Sequence, residues 1–106
     1  MAQDFAQAMA WYRKAADQGL AAAQYSIGWL YKNGQGVAQD YGQALEWFRK
    51  AADQGLAVAQ SNIGGMYENG LGVTKDIAEA IEWYRKAAAQ GYAPAKKALQ
   101  SLRASE

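Results

Sequence analysis

The sequence predicts an all-α solenoid of about six antiparallel helices, and two observations carry that prediction. The stretch Asp40–Lys75, moved back 36 positions, falls on Asp4–Gln39 with 22 of the 36 residues identical. Moved forward, it falls on 76–106, where the copy stops early. Within each copy two different helical patterns alternate, and each ends at glycine. A period of this size marks a stacked array, in which each unit covers its neighbour's apolar face.

Asp4 opens the first helix. With Gln7 it makes a capping-box pattern, repeated as Asp40 with Gln43 and Asp76 with Glu79. In that pattern the two side chains satisfy orphan N–H groups of the first turn. The helix runs about fourteen residues and stops at Gly19, Gly55 or Gly91, as a left-handed glycine cap would stop it. On the wheel of the second copy, Tyr41, Ala44, Leu45, Trp47, Phe48, Ala51 and Ala52 fill a wide apolar arc. An arc that wide predicts cover from more than one side.

The second kind of helix follows. Its first turn carries Ala22, Val58 and Pro94 in register. Pro94 suits the first helical position, where no N–H partner is needed. Ala23, Ile27, Leu30 and Tyr31 face the core in one copy, and Ala59, Ile63, Met66 and Tyr67 in the next. Gly28 and Gly64 lie inside these helices, where glycine costs about 1 kcal/mol against alanine, so a neighbouring helix is expected to approach closely there. Asn33-Gly34 and Asn69-Gly70 end the helix, and Val37 or Val73 tucks in before the next cap. In the last copy only Leu99 and Leu102 keep an apolar stripe, as expected of a terminal cap.

At 106 residues the chain is one domain's worth. Eleven basic and ten acidic side chains are interspersed, for a net charge of +1. That balance argues against nucleic acid or anionic membrane as the main partner. No apolar run is long enough to span a bilayer, and the N-terminus lacks a leader pattern, so no membrane insertion is expected. The compartment stays open, cytoplasmic by default. Histidine and cysteine are absent, so the usual acid–base and nucleophile sets are missing. Asp40 and Asp76 read as caps, and Gly34-x-Gly36 and Gly70-x-Gly72 lack the context of a phosphate loop. We expect no catalysis, no cofactor and no metal.

These residues resemble the Sel1-like repeat family, a relative of the tetratricopeptide repeats. The marks are Ala57-x-Ala59, Ile63-Gly64-x-x-Tyr67, Gly70-x-Gly72-Val73, Asp76, Ala80, Trp83-Tyr84, Ala87-Ala88 and Gly91. Gly55 stands where a tetratricopeptide has its closing proline, and Gln60 where it has its early tryptophan. The resemblance implies a right-handed superhelix whose concave face holds other proteins, without catalysis or cofactor. In the family's frame the single domain 1–106 comprises a half unit 4–19, full units 20–55 and 56–91, and a capping helix 92–103.

Four features remain to be placed. Arg13-Lys14, Arg49-Lys50 and Arg85-Lys86 form a basic ladder, which as a functional patch would bind an acidic surface and which we read as a solvated face near helix C-termini, where cations complement the dipole. Trp11, Trp47 and Trp83 recur, so packing between repeats is expected of them. Trp29 does not recur: Gly65 and Ser101 stand in its register. Tyr25, Trp29 and Lys32 lie opposite the core on the wheel, with Ser61, Gly65 and Glu68 one unit on and Lys97 in the last helix. We therefore expect a protein- or peptide-binding groove of Tyr25, Trp29, Lys32, Ser61, Asn62, Gly65, Glu68 and Lys97. Phe5, Ala8, Met9, Trp11, Tyr12 and Ala15 form an apolar face with no helix before it, which predicts a homo-oligomer through the N-terminal helix. The function expected is a binding scaffold or adaptor. The alternative is a self-assembling or engineered structural module without a separate ligand.

Overall fold

The structure, a computed structural model, describes residues 4–104. Six helices follow one another: α1 (Phe5–Asp17), α2 (Ala21–Asn33), α3 (Tyr41–Asp53), α4 (Ala57–Asn69), α5 (Ile77–Ala89) and α6 (Ala93–Ala104). No strand occurs among the described residues. The helices stack in sequence into a body of 44 × 26 × 24 Å. None is long and apolar enough to cross a membrane.

Sequence register divides them into two kinds. We call α2, α4 and α6 A-type and α1, α3 and α5 B-type. Each complete A-type helix packs most extensively on the B-type helix that follows it, α2 on α3 and α4 on α5. Contacts from a B-type helix to the next A-type helix are thinner.

The B-type helices start as their aspartates require. Asp4, Asp40 and Asp76 accept from the backbone N–H of Gln7, Gln43 and Glu79 at 3.0, 3.0 and 3.1 Å. The reciprocal half of the expected capping box is not made at α3 and α5. The N–H of Asp40 donates to the Tyr31 carbonyl and that of Asp76 to the Tyr67 carbonyl, both at 2.9 Å. The preceding A-type helix thus takes the donor that Gln43 or Glu79 would have capped, and the loop is tied down by the same bond. All three B-type helices close through a positive-φ glycine, at Gly19, Gly55 and Gly91. Pro94 is the second residue of α6, one place later than expected. It still lies in the first turn, whose N–H groups have no intrahelical partner.

The interior glycines are where helices meet. A Cβ on Gly28 would come within 2.7 Å of the Phe48 ring, and one on Gly64 within 2.9 Å of the Tyr84 ring. Only a missing side chain lets these aromatics of α3 and α5 press onto the preceding A-type backbone. Phe48 is fully buried as a result.

The core divides into three clusters along the stack. The first is centred on Met9, Ile27 and Leu30, the middle one on Phe48, Ile63 and Met66, and the last on Ala80, Tyr84 and Ala95. Val37 packs against the first and Val73 against the middle one.

Candidate functional site

The recurring tryptophans come apart once they are placed. Trp47 packs against the first cluster and Trp83 against the middle one, so each covers the unit before it. Trp11 has no such unit among these helices and is 63% exposed. Tyr12 beside it is 37% exposed, whereas Phe48 and Tyr84, its counterparts, are 0% and 6% exposed. Met9 and Ala16 of the same helix are buried against α2. The apolar face expected on the first helix is therefore split, one side covered and one side open.

Tyr12 of the open side, though not Trp11, lines a cleft of about 510 Å³ between α1 and α2. Phe5, Ala8 and Tyr12 form one wall, Tyr25, Ser26, Trp29 and Leu30 the other, and Asp4 and Gln35 the ends. Trp29 is 41% exposed in it, as its replacement by glycine one unit later suggests. Tyr25 has a second role: its ring lies 5.5 Å from that of Phe48. Burial raises the Tyr25 hydroxyl above its ordinary pKa, with Tyr92 adding to the shift and Asn62 opposing it.

The structure brings only part of the expected groove into that cleft. Tyr25 and Trp29 line it; the other six residues do not. Lys32 reaches Asn62, its Nζ 3.3 Å from Oδ1, while the Asn62 amide donates to the Val58 carbonyl. Glu68 accepts from the Tyr84 hydroxyl at 2.7 Å. Burial and this carboxylate push the Tyr84 hydroxyl far above its ordinary pKa. Ser61 is half-buried, and so is Gly65, where an added Cβ would sit an ordinary 3.5 Å from the Tyr84 hydroxyl. Lys97 is exposed on α6.

Gln35 was missed by sequence reasoning. Its Oε1 is buried without a hydrogen-bond partner. The signal was present in the register, since Leu71 replaces it one unit on. The basic ladder is exposed, and several of its side chains also hold partners along the surface. Arg13 and Arg49 each donate to a tyrosine hydroxyl, Tyr31 and Tyr67, at 2.8 Å. Lys50 and Lys86 lie 4.2 Å from the ring centroids of Trp47 and Trp83. Both contacts are of the cation–π kind. Arg85 cannot repeat the tyrosine bond, because Arg103 occupies that register; it pairs with Glu82 at 3.4 Å.

The profile of the Sel1 repeat matches residues 1–20, 21–56 and 57–92, nearly the whole chain. The chain belongs to the Sel1 repeat family. It is similar to a Sel1 repeat protein from Oxalobacter formigenes, with a TM-score of 0.82 and 49% identity over 86% of this chain and 68% of that one. It is also similar to c5321, a protective antigen of uropathogenic Escherichia coli with an SLR fold. There the TM-score is 0.81 and the identity 53%, over 83% of this chain and 19% of that one. Among proteins with curated descriptions, none matches. Sel1 repeat proteins are helical scaffolds, typically without catalysis, that generally serve protein–protein interaction.

Proposed function

We propose that this Sel1 repeat domain is a scaffold that holds a protein or peptide in the α1–α2 cleft. The observation that carries the reading is the cleft itself, in which Tyr25 and Trp29 meet Phe5 and Tyr12 to form an open aromatic pocket. Buried aromatic anchors supply most of the affinity at protein interfaces. Gln35 closes the cleft's end. Lys32 of α2 and Ser61, Asn62, Gly65, Glu68 and Lys97 of the later A-type helices continue the groove, as a polar rim that tunes specificity. The units 20–55 and 56–91 act as the rigid frame. The test is a pull-down followed by titration of the captured partner. Trp29→Ala should weaken binding by about 2 kcal/mol, as truncation of a hot spot does. It should lower folding stability by only about 1 kcal/mol, since much of the ring is already in water. Large loss of stability with binding intact would refute the groove.

A second reading is self-association through α1, which the exposed Trp11 and Tyr12 favour. Sedimentation showing only monomer at high micromolar concentration would remove it.

A further inference from the structure

Helix α4 has neighbours on every flank. It lies between α3 and α5, and Lys32 of α2 reaches its Asn62. Its Ala57 packs against the last cluster, to which α6 contributes Ala95. Units of a solenoid touch only their neighbours, so what α4 leaves open does not depend on what precedes α1 or follows α6. Two adjacent glycines stand in this helix, and only one of them is needed for packing. A Cβ on Gly64 would come within 2.9 Å of the Tyr84 ring. A Cβ on Gly65 would meet only the Tyr84 hydroxyl, at an ordinary 3.5 Å. Nor does Gly65 have the positive φ that favours glycine. Glycine inside a helix is less stable than alanine, so Gly65 weakens α4 with no contact in the chain that requires it. A local rule broken without compensation marks a functional place.

Beside Gly65 lies a carboxylate. Glu68 is the next residue on the same face, and helical side chains lean back over the preceding turn. It is half-buried, and the Tyr84 hydroxyl donates to its Oε1 at 2.7 Å. The second oxygen has no partner among the described residues, although a carboxylate accepts on both. No cation of the chain neutralises it, since the ion pair found among the described residues is Arg85–Glu82. Lys32 stands in its register on α2, yet the Lys32 ammonium goes to Asn62 Oδ1 at 3.3 Å. Asn62 lies about 9 Å nearer the start of α4 than Glu68 does.

Resting on the reading of this domain as a peptide-binding scaffold, we propose that Gly65, Glu68 and Tyr84 form a seat for a basic side chain of the partner, lysine or arginine. The apolar stem of that side chain lies on the bare backbone at Gly65, and its charged head takes the free oxygen of Glu68. Tyr84 is a positioning residue, whose hydroxyl holds the carboxylate beside the seat. The arrangement does not recur among the described residues. Trp29, Lys32 and Phe48 stand in the register of Gly65, Glu68 and Tyr84, and α6 has Ser101 and Ala104 in place of the first two. The partner's basic residue is therefore placed at α4, one unit beyond Trp29.

The test pans random short peptides displayed on phage against the intact protein, then titrates the strongest binder as a synthetic peptide. That peptide is expected to carry a basic residue whose replacement by norleucine weakens binding at least about tenfold, the size of one charge-assisted hydrogen bond. Against Glu68→Gln, which keeps an acceptor for the Tyr84 hydroxyl, the same replacement should change little. Gly65→Ala should raise the melting temperature and yet weaken binding, a pair of shifts that a purely structural glycine does not give. Binders without a basic residue, or a norleucine penalty undiminished in Glu68→Gln, would overturn the proposal. So would Gly65→Ala with a lowered melting temperature or with unchanged affinity. If such binders are still lost in Trp29→Ala, the scaffold reading stands and only the basic anchor falls. If panning yields no peptide that binds on titration, both fall together.

Discussion

The first and the last helix of this structure come from the same repeat and differ in what their outer faces can receive. At the N-terminal end, α1 keeps the residues of an inner helix, and its Trp11 and Tyr12 reach solvent. At the C-terminal end, α6 keeps the core contacts of its type but changes the surface that would receive another helix. Gln100 stands in the register of Gly28 and Gly64, and Arg103 in that of Tyr31 and Tyr67. The first change blocks the close approach of an aromatic ring. The second puts a cation in place of the hydroxyl that Arg13 and Arg49 hold. The difference teaches that what a helix can receive is decided at its points of closest approach. A single side chain where glycine is required does what a general increase in polarity need not do.

The largest test of that view exchanges the two residues. Gly64→Gln should destabilise the protein by about 3 kcal/mol, because a close-packed contact with the Tyr84 ring cannot absorb new atoms. Gln100→Gly should cost about 1 kcal/mol, the ordinary penalty of glycine in an exposed helix. Urea denaturation measures both. Similar losses for the two would mean that the glycine register does not mark the contact. Next in size is the tryptophan series. Trp83→Ser should cost about 2 kcal/mol, for apolar area withdrawn from the middle cluster. Trp11→Ser should stay within about 0.5 kcal/mol, as at most surface sites. Equal costs would show that Trp11 has cover of its own.

The smallest effect separates the two aromatic seats. Tyr84→Phe should cost about 1 kcal/mol through the bond to Glu68, with packing kept, since Phe48 shows the ring alone fits. The bond also carries a pH signature. Folding raises the Tyr84 pKa above the ordinary value of about 10, so its contribution is complete below that pH. Above it the unfolded chain ionises while the folded chain resists, and stability falls as pH rises. Thermal unfolding between pH 8 and 11 should show a shallower alkaline decline in Tyr84→Phe than in the parent. Parallel curves would exclude Tyr84 as the source.

By itself the sequence determined the period, the number and order of the helices, the aspartate and glycine caps, and the places where glycine admits a neighbour. It also singled out Trp29 and the uncovered face of the first helix. These follow from local rules: a helix turn sets which residues share a face, and a repeat shows which positions accept change. Only the tertiary structure decided who holds whom. Gln43 loses its half of the capping box because the Tyr31 carbonyl arrives first. Tyr25 leans on Phe48, Glu68 is taken by Tyr84, and Gln35 closes a cleft whose other wall lies a helix away. Such pairings depend on the angle and separation of helices, which no spacing along the chain specifies. They are set when aromatic rings settle onto glycine backbones and the polar groups around them take whichever partner comes within reach.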